Sequence, residues 1–263
     1  MKLEIKTGPQ LYFDKVGRNK ATTFTGLCDT HDSELFDPID NSPFKSTNIE
    51  HLFLLAYRSV LRELHTKMKG AVDIQTQYNR GVEMGKFNPA ISDEASNMAI
   101  TNIAESYTFY LHKFHYDQLY IQKNFAGIEH HIQFIEDIQP SVAVSSVYSY
   151  TDNMRYYNDR IEPKCISLNV FPQDSGIFLI FSFRKEHSSR LLPFISPILD
   201  AERHYKLYLL SKLILMHCEN FVLSPFFYQT LSQERIKAIC DFFMKNLYIK
   251  KEDTENGNLL LFY

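Results

Sequence analysis

A cysteine and a histidine separated by two residues are the side chains best placed for chemistry. Cys28 and His31 stand in the stretch TGLCDTHDSELFDPID, residues 25–40. One turn of chain can present a thiolate and an imidazole to the same ion, and zinc accepts both in a tetrahedral shell. Asp32 can add a ligand or orient the imidazole. The spacing therefore predicts half of a structural zinc site, with the distant Cys218 as a candidate further ligand.

The same cluster has two other interpretations. In the first, Cys28 packs as a small apolar side chain, and a polar residue after it caps a short helix over 31–36. In the second, Cys28 is a nucleophile, His31 its base and Asp32 the group that orients the base. Catalytic cysteine and histidine normally come from distant segments, so the sequence favours the capped helix over the nucleophile.

A second candidate pair lies on a predicted helix. Arg58 and His65 are two helical turns apart and therefore share a face. Their spacing resembles that of the HEPN ribonucleases (higher eukaryote and prokaryote nucleotide-binding), in which Arg and His from paired subunits act on the RNA phosphodiester. The resemblance implies a metal-independent nuclease with Arg58 and His65 as catalytic residues. Ser59 departs from that family, which usually carries an amide, an acid or His there, and a solvated helix face is the alternative.

A longer motif resembles one of an uncharacterised bacterial protein family. Its parts, which are spread over most of the chain, are Gly26-Leu27-Cys28-x2-His31-Asp32-x2-Leu35-Phe36-x-Pro38-Ile39-Asp40, then Ala56-Tyr57-Arg58, then Cys218-Glu219-Asn220 followed by Ser224-Pro225. No activity comes with that family. The resemblance implies a bacterial protein without naming a reaction.

The composition excludes several classes of function. Among 263 residues, 44% are hydrophobic and 22% charged, as in ordinary globular proteins, and the net charge of −3 advertises no broad nucleic-acid surface. The four cysteines are widely spread, which favours a reducing compartment. The N-terminus has no signal-peptide pattern and no apolar run is long enough for a membrane span, so we expect a cytoplasmic protein. Phosphate-binding glycine motifs are missing, so no nucleotide cofactor is expected.

Periodicity divides the chain into four segments. Residues 1–47 read as irregular with short extended pieces, 48–139 as helical, 140–184 as antiparallel strands, and 185–263 as helical with a short C-terminal strand. Strands do not alternate with helices, which disfavours a parallel sheet. We therefore expect one α+β domain that is mostly helical, with a small antiparallel sheet around residues 141–183.

Helices and strands can be placed within these segments. The predicted helices are 48–70, 71–85, 93–125, 128–138, 199–218 and 232–247, and the predicted hairpin joins 165–171 to 177–183 across PQDSG. On the long helix, apolar residues keep helical spacing at Ile100, Ile103, Tyr107, Tyr110, Leu111, Phe114 and Leu119.

The leading functional hypothesis is a non-catalytic, protein-binding component of a bacterial multi-protein system, such as one in antiviral defence, with one structural zinc. Its expected partners are other protein subunits, not membranes. A chain with 21 Phe and 16 Tyr has the residues that interfaces favour, and exposed aromatic patches would support this hypothesis. The alternative is a nuclease or hydrolase effector that uses Arg58 and His65, or a metal at Cys28, His31 and Asp32. A purely structural protein ranks third.

Overall fold

The chain divides into two compact units, each built from distant stretches. The computed structural model describes residues 2–5, 9–17, 21, 24, 26–88, 94–149, 164–173, 175–248 and 257–262. The helical unit comprises Phe24–Ile128 and Ser149–Cys165, and the sheet unit comprises Met1–Thr23, Glu129–Tyr148 and Ile166–Tyr263. Because neither unit is one continuous stretch, composition along the sequence could not reveal this division.

Three helices form the described part of the helical unit. Helix α1 spans Asp29–Asp40, α2 spans Ile49–Glu83 and α3 spans Glu94–Ile121, and a single 3-10 turn follows at Phe125–Gly127. Helix α2 packs along α3 and also contacts α1. This hairpin of long helices is the scaffold for most of the candidate residues.

Helix α2 begins where the sequence predicts and continues further. The side chain of Asn48 accepts a hydrogen bond from the backbone N–H of Glu50 at 3.0 Å, which caps the first turn. The predicted stop at Gly70 is wrong, because the helix runs through it. A Cβ atom on Gly70 would lie 3.3 Å from the Asn102 side chain, so this glycine permits close packing on α3. The stop is at Gly85, whose φ of +68° favours glycine just beyond the helix end.

Aromatic rings fill the core between α2 and α3. Phe53 and Tyr116 are fully buried, with ring centroids 5.3 Å apart. Tyr57 stacks on Tyr116 at 5.6 Å, and Phe125 lies 5.0 Å from Phe53. Each such pair contributes about 0.5–1.5 kcal/mol beyond its buried area. The rings therefore fix how α3 is rotated against α2.

Seven strands are described. They are β1 (Lys2–Ile5), β2 (Pro9–Tyr12), β3 (Ile128–Glu136), β4 (Val142–Ser149), β5 (Cys165–Gln173), β6 (Gly176–Arg184) and β7 (Phe221–Leu223). Strands β1 and β2 form a separate antiparallel pair, and the others form one sheet in the order β3-β6-β5-β4-β7. The predicted hairpin is confirmed as β5–β6, with Gln173 opposite Gly176, and β7 pairs antiparallel with β4 at the sheet edge.

The short helix predicted over 128–138, and with it a wholly helical segment 48–139, is wrong, because residues 128–136 form β3. The apolar residues Ile128, Ile132 and Ile135 fit a helical period, which misled the prediction. Strand β3 lies beside β6, and His130 Nδ1 lies 2.8 Å from the Ser182 hydroxyl. Pairing with β6 therefore decides the structure of this stretch.

The flanking segments also differ from the predictions. Residues 1–47 contain the β1–β2 pair and α1 as well as irregular chain. After β6 come α4 (Ser188–Leu199), α5 (Arg203–His217), α6 (Pro225–Thr230) and α7 (Gln233–Tyr248), with β7 between α5 and α6. Helix α4 lies in the segment predicted as helical but was not placed there as an element; it contains two prolines, which normally break helices. The predicted C-terminal strand is replaced, where described, by a 3-10 turn at Gly257–Leu259 and by residues 260–262, which belong to no helix or strand.

The core of the sheet unit is aliphatic and aromatic. Leu168, Val170, Leu179 and Phe181 of the central hairpin are fully buried. Helices α5 and α7 pack on each other. The mostly helical α+β class is confirmed. None of the helices in the described parts of the chain combines the length and apolar character needed to cross a membrane.

Candidate functional site

The structure brings Cys28 and His31 together. Cys28 is the residue before α1, and its carbonyl accepts a hydrogen bond from the Asp32 N–H at 2.9 Å. The first helical turn then places His31 Nδ1 3.2 Å from Cys28 Sγ, and both side chains are exposed. The interpretation of Cys28 as a packed apolar side chain is therefore wrong, whereas the short helix after it exists as part of α1.

The predicted zinc site is not completed by described residues. No group of three or more His, Cys, Asp or Glu side chains in the described ranges is arranged to hold a metal ion. Cys218 is buried at the end of α5 in the sheet unit, whereas Cys28 and His31 belong to the helical unit. A tetrahedral zinc shell needs four ligands, of which the exposed pair would supply two. Zinc at Cys28, His31, Asp32 and Cys218 stays a prediction.

Arg58 is held between two side chains of α1. Its guanidinium donates to both oxygens of Asp40, at 2.7 and 2.5 Å, in the bidentate geometry that Arg favours. Its Cζ atom lies 4.1 Å above the ring of the buried Phe36. This arrangement joins α1 to α2, so Arg58 has a clear structural role.

His65 lies at a different place on α2. It lines a cavity of about 440 Å³, together with Gly26, Leu61, Leu64, Met68, Lys69, Val72, Asp73 and Lys113. The ring of Phe24 is 6.1 Å from the imidazole. Arg58 is not among the described residues that line this cavity. The shared helix face predicted for the pair therefore does not place both in one pocket.

A partly buried hydrogen-bond network helps to set the rotation of α3. The Tyr57 hydroxyl donates to Asp117 Oδ1, and Lys113 Nζ lies 2.7 Å from Asp117 Oδ2. Burial, and then the hydrogen bond to Asp117, raise the pKa of Tyr57 far above its ordinary value. The phenol therefore stays protonated and remains the donor. Together with buried Tyr116, this network holds one face of α3 against α2.

The opposite face of α3 carries a stripe of large apolar side chains that are between 47% and 72% exposed. We call this stripe the α3 seam; its members are Ile100, Ile103, Tyr107, Tyr110, Phe114 and Ile121. Successive members are separated by three and four residues in alternation, with a gap of seven at the end. The mean of 3.5 residues per turn is the repeat of a coiled-coil contact face.

The sequence predicts the apolar residues of the α3 seam but not the direction in which they face. Helical spacing at residues 100–114 identified an apolar stripe, and such a stripe normally faces a core. The core-facing residues of α3 are instead Phe109, His112 and Tyr116. The available signal was apolar character on more than one helix face, and tertiary packing alone decides which face is covered.

Comparison with known proteins adds no relative. No protein-family model matches the chain, and neither the curated proteins nor the solved structures yield a match. The function proposed for this protein therefore depends on its own residues and their geometry.

The sheet unit contains a larger cavity, of about 740 Å³, beside the edge strand β7. Aromatic rings line one side: Phe13 lies 6.4 Å from Phe221 and 5.6 Å from Tyr228. Ser141 also lines it, and its buried hydroxyl has no hydrogen-bond partner among the described residues. The volume is within the range of small-molecule sites, and most of the lining is apolar, with a few polar side chains such as Lys15 and Gln229.

Proposed function

We propose that this chain is a non-catalytic protein-binding component of a multi-protein assembly and that the α3 seam is its binding surface. The observation that carries the proposal is the seam itself, which consists of six exposed apolar side chains at coiled-coil spacing. They lie on a helix that is held against α2 by the Tyr57–Asp117 hydrogen bond. The motif resemblance supports a bacterial setting, for which antiviral defence is one example.

The size of the seam supports a protein partner. A large apolar side chain has about 150–250 Å² to bury, so six that are half exposed offer roughly 600 Å². The largest apolar patch on a typical monomer is about 300–600 Å² and is often functional. A stable protein interface covers about 800 Å² on each partner. The seam is therefore large enough to be the centre of such an interface.

The chemistry of the seam agrees with its size. Tyrosine and phenylalanine are enriched in interfaces, because they bury large areas with little loss of conformational freedom. Tyr107 and Tyr110 stack on each other, with ring centroids 6.5 Å apart, and so present a preformed aromatic surface. The alternation of three and four residues matches the facing residues of another helix rather than an extended strand.

Photo-crosslinking inside cells tests the proposal. A benzoyl-phenylalanine at Tyr107 should give a discrete protein adduct after illumination. The matched control is Tyr205 on α5, which is 56% exposed and stacks on Tyr208 at 6.2 Å, much as Tyr107 stacks on Tyr110. Adducts at Tyr107 and none at Tyr205 would support a binding role for the seam. Equal labelling at both positions, or none at either, would count against it.

A nuclease or hydrolase effector is the second candidate. One observation favours it: His65 lines an open cavity together with Lys69 and Lys113, which are suitable neighbours for a phosphate. Lys69 also pairs with Asp73 at 3.0 Å, and Arg58 is engaged by Asp40. RNA cleavage that disappears in His65→Ala, with folding retained, would favour the nuclease over the binding component.

The proposed assembly component includes one structural zinc at the exposed Cys28–His31 pair. Elemental analysis of the purified protein, beside the double variant Cys28→Ala with His31→Ala, tests this part separately. About one zinc per chain, lost in the variant together with a marked fall in melting temperature, is the expected result. Metal lost without a change in melting temperature would favour a catalytic or labile site. Metal-free protein would remove zinc from the proposal and leave the seam untouched.

A further inference from the structure

We infer that the helix which covers the seam is α3 of a second copy of this chain, packed antiparallel, so that the protein is a two-fold symmetric dimer. This inference rests on the proposed binding function, because it names the occupant of the same surface. It commits to one partner and one orientation, and both can be measured.

Charge permits an identical partner. In coiled coils, charged residues beside the apolar seam choose between partners. The positions beside the α3 seam are almost all uncharged: Ala104, Leu111 and Gln118 on one side, and Ser106, Lys113 and Tyr120 on the other. Lys113, the one cation among them, is paired with Asp117. A surface of this kind has little with which to select a charged partner, and its described flanking positions carry no unpaired charge that would repel a second copy.

One acidic residue sets the orientation. Asp117 occupies the place in the repeat between Phe114 and Ile121, where the apolar series is interrupted. Its carboxylate is bound by Tyr57 and Lys113, so this position adds no apolar contact, and parallel pairing would set it against the same polar position of the other copy. Antiparallel pairing about the middle of the seam places Asp117 near Ala104 of the other copy, and separates the two carboxylates by about 20 Å at 1.5 Å of rise per residue.

Antiparallel pairing also completes the apolar contacts. The seam extends from Ile100 to Ile121, and its midpoint lies between Tyr110 and Leu111. A two-fold axis there sets Ile100 of one copy beside Ile121 of the other, and Tyr107 beside Phe114. The contact is isologous, so each copy buries the same residues and no seam is left uncovered.

The buried area fits a dimer of moderate strength. Two seams together bury roughly 1,200 Å², at the lower end of the range for specific interfaces. We therefore expect a dimer that dissociates on dilution, rather than an obligate one. Sedimentation velocity over about a hundredfold range of concentration should show the mass rise from one chain to two.

Matched variants identify the surface. Tyr107→Glu combined with Tyr110→Glu should leave a monomer at every concentration, because charge on both faces of a two-fold contact repels. Tyr205→Glu, an equally exposed tyrosine outside the seam, should dimerise like the unmodified protein. Circular dichroism of all three proteins verifies that they are folded. An unmodified protein that is monomeric throughout, or a dimer unaffected by the seam variants, would overturn the inference.

Cysteine pairs test the orientation. In a Cys28→Ser background, which removes the one exposed native thiol, the remaining cysteines are buried. Ile100→Cys combined with Ile121→Cys should form disulfide-linked dimers under mild oxidation, and neither single variant should. Efficient dimers from Ile100→Cys alone would show parallel pairing and contradict the antiparallel arrangement.

The photo-crosslinking experiment separates this inference from the proposed function. A Tyr107 adduct of twice the chain mass supports both. An adduct only with a different protein, together with a monomer in sedimentation, overturns the dimer and leaves the binding function standing. The lack of any adduct counts against both.

Discussion

At the scale of single residues, the candidate catalytic side chain of Arg58 has a structural role. Arg58 is engaged by Asp40 from one side and by the Phe36 ring from the other. Its position follows from the sequence, since α2 is strongly periodic, but its partner does not. Asp40 lies at the end of another helix, and only the packing of α1 on α2 brings the two together.

Arg58→Ala should lower the free energy of unfolding by about 1–2 kcal/mol, through loss of an ion pair of about 1 kcal/mol or less and a cation–π contact of similar size. Asp40→Asn should cost less, because the Phe36 contact remains. Chemical denaturation measures both. An Arg58→Ala protein of unchanged stability that has lost RNA cleavage would instead assign Arg58 to catalysis.

His130 should make the protein sensitive to acid. Desolvation, followed by the neighbouring His131, lowers the pKa of His130 to about 4. Between the unfolded-state pKa of about 6.5 and this value, the unfolded chain binds a proton that the folded chain does not. Stability should therefore fall as the pH drops through this window, by roughly 3 kcal/mol in all.

His130→Asn, which can keep the hydrogen bond to Ser182, should flatten this pH dependence. Denaturation midpoints at a series of pH values measure the slope for each protein. Parallel slopes for the variant and the unmodified protein would show that other groups cause the acid sensitivity.

At the scale of elements, the sequence predicts the helices and strands whose ends are set by neighbouring residues. The β5–β6 hairpin and the start of α2 follow from turn residues and a capping side chain, and both are confirmed. Strand β3 and the direction in which the α3 seam faces were not predictable, because a distant segment decides each of them: β6 for the strand, and the Tyr57–Asp117 contact for the helix. The sequence identified the candidate residues by their chemical type, but it did not predict which side chains surround them.

Gly176→Ala should destabilise the sheet unit strongly. A Cβ atom there would lie 2.4 Å from the backbone oxygen of Ile135, so β3 or the hairpin would have to shift. We expect a loss of about 2 kcal/mol or more, in the range of overpacked sites. Gly17→Ala is the control, since no atom of the described residues lies within 4 Å of its Cβ position. Equal melting temperatures for the two variants would contradict this account of Gly176.

At the scale of the whole molecule, the surface proposed for assembly is apolar, while the net charge is only −3. Association through the seam should therefore draw its free energy from the removal of apolar surface from water, not from charge attraction.

The self-association constant should consequently be insensitive to salt. Raising the ionic strength from about 0.1 M to about 1 M shortens the screening length from about 10 to about 3 Å, which weakens exposed ion pairs but not apolar contacts. Association should also weaken on cooling. Sedimentation at both salt concentrations measures this, and a dimer that dissociates in high salt would point to a charged interface elsewhere.

Buried residues are unevenly distributed along helix α2. Twelve of the buried residues of α2 lie in the part of the helix that ends at Ala71, and Gly81 is the one buried residue near the far end. Gly70 and Gly81 both lie in the second half of the helix. Glycine inside a helix costs about 1 kcal/mol relative to alanine, and few apolar contacts offset that cost here. Amide hydrogens along α2 should therefore exchange with solvent on a gradient, slowly up to about Leu64 and much faster beyond Gly70. One continuous helix would then contain two cooperative units, and its distal turns could open while the aromatic core stays closed.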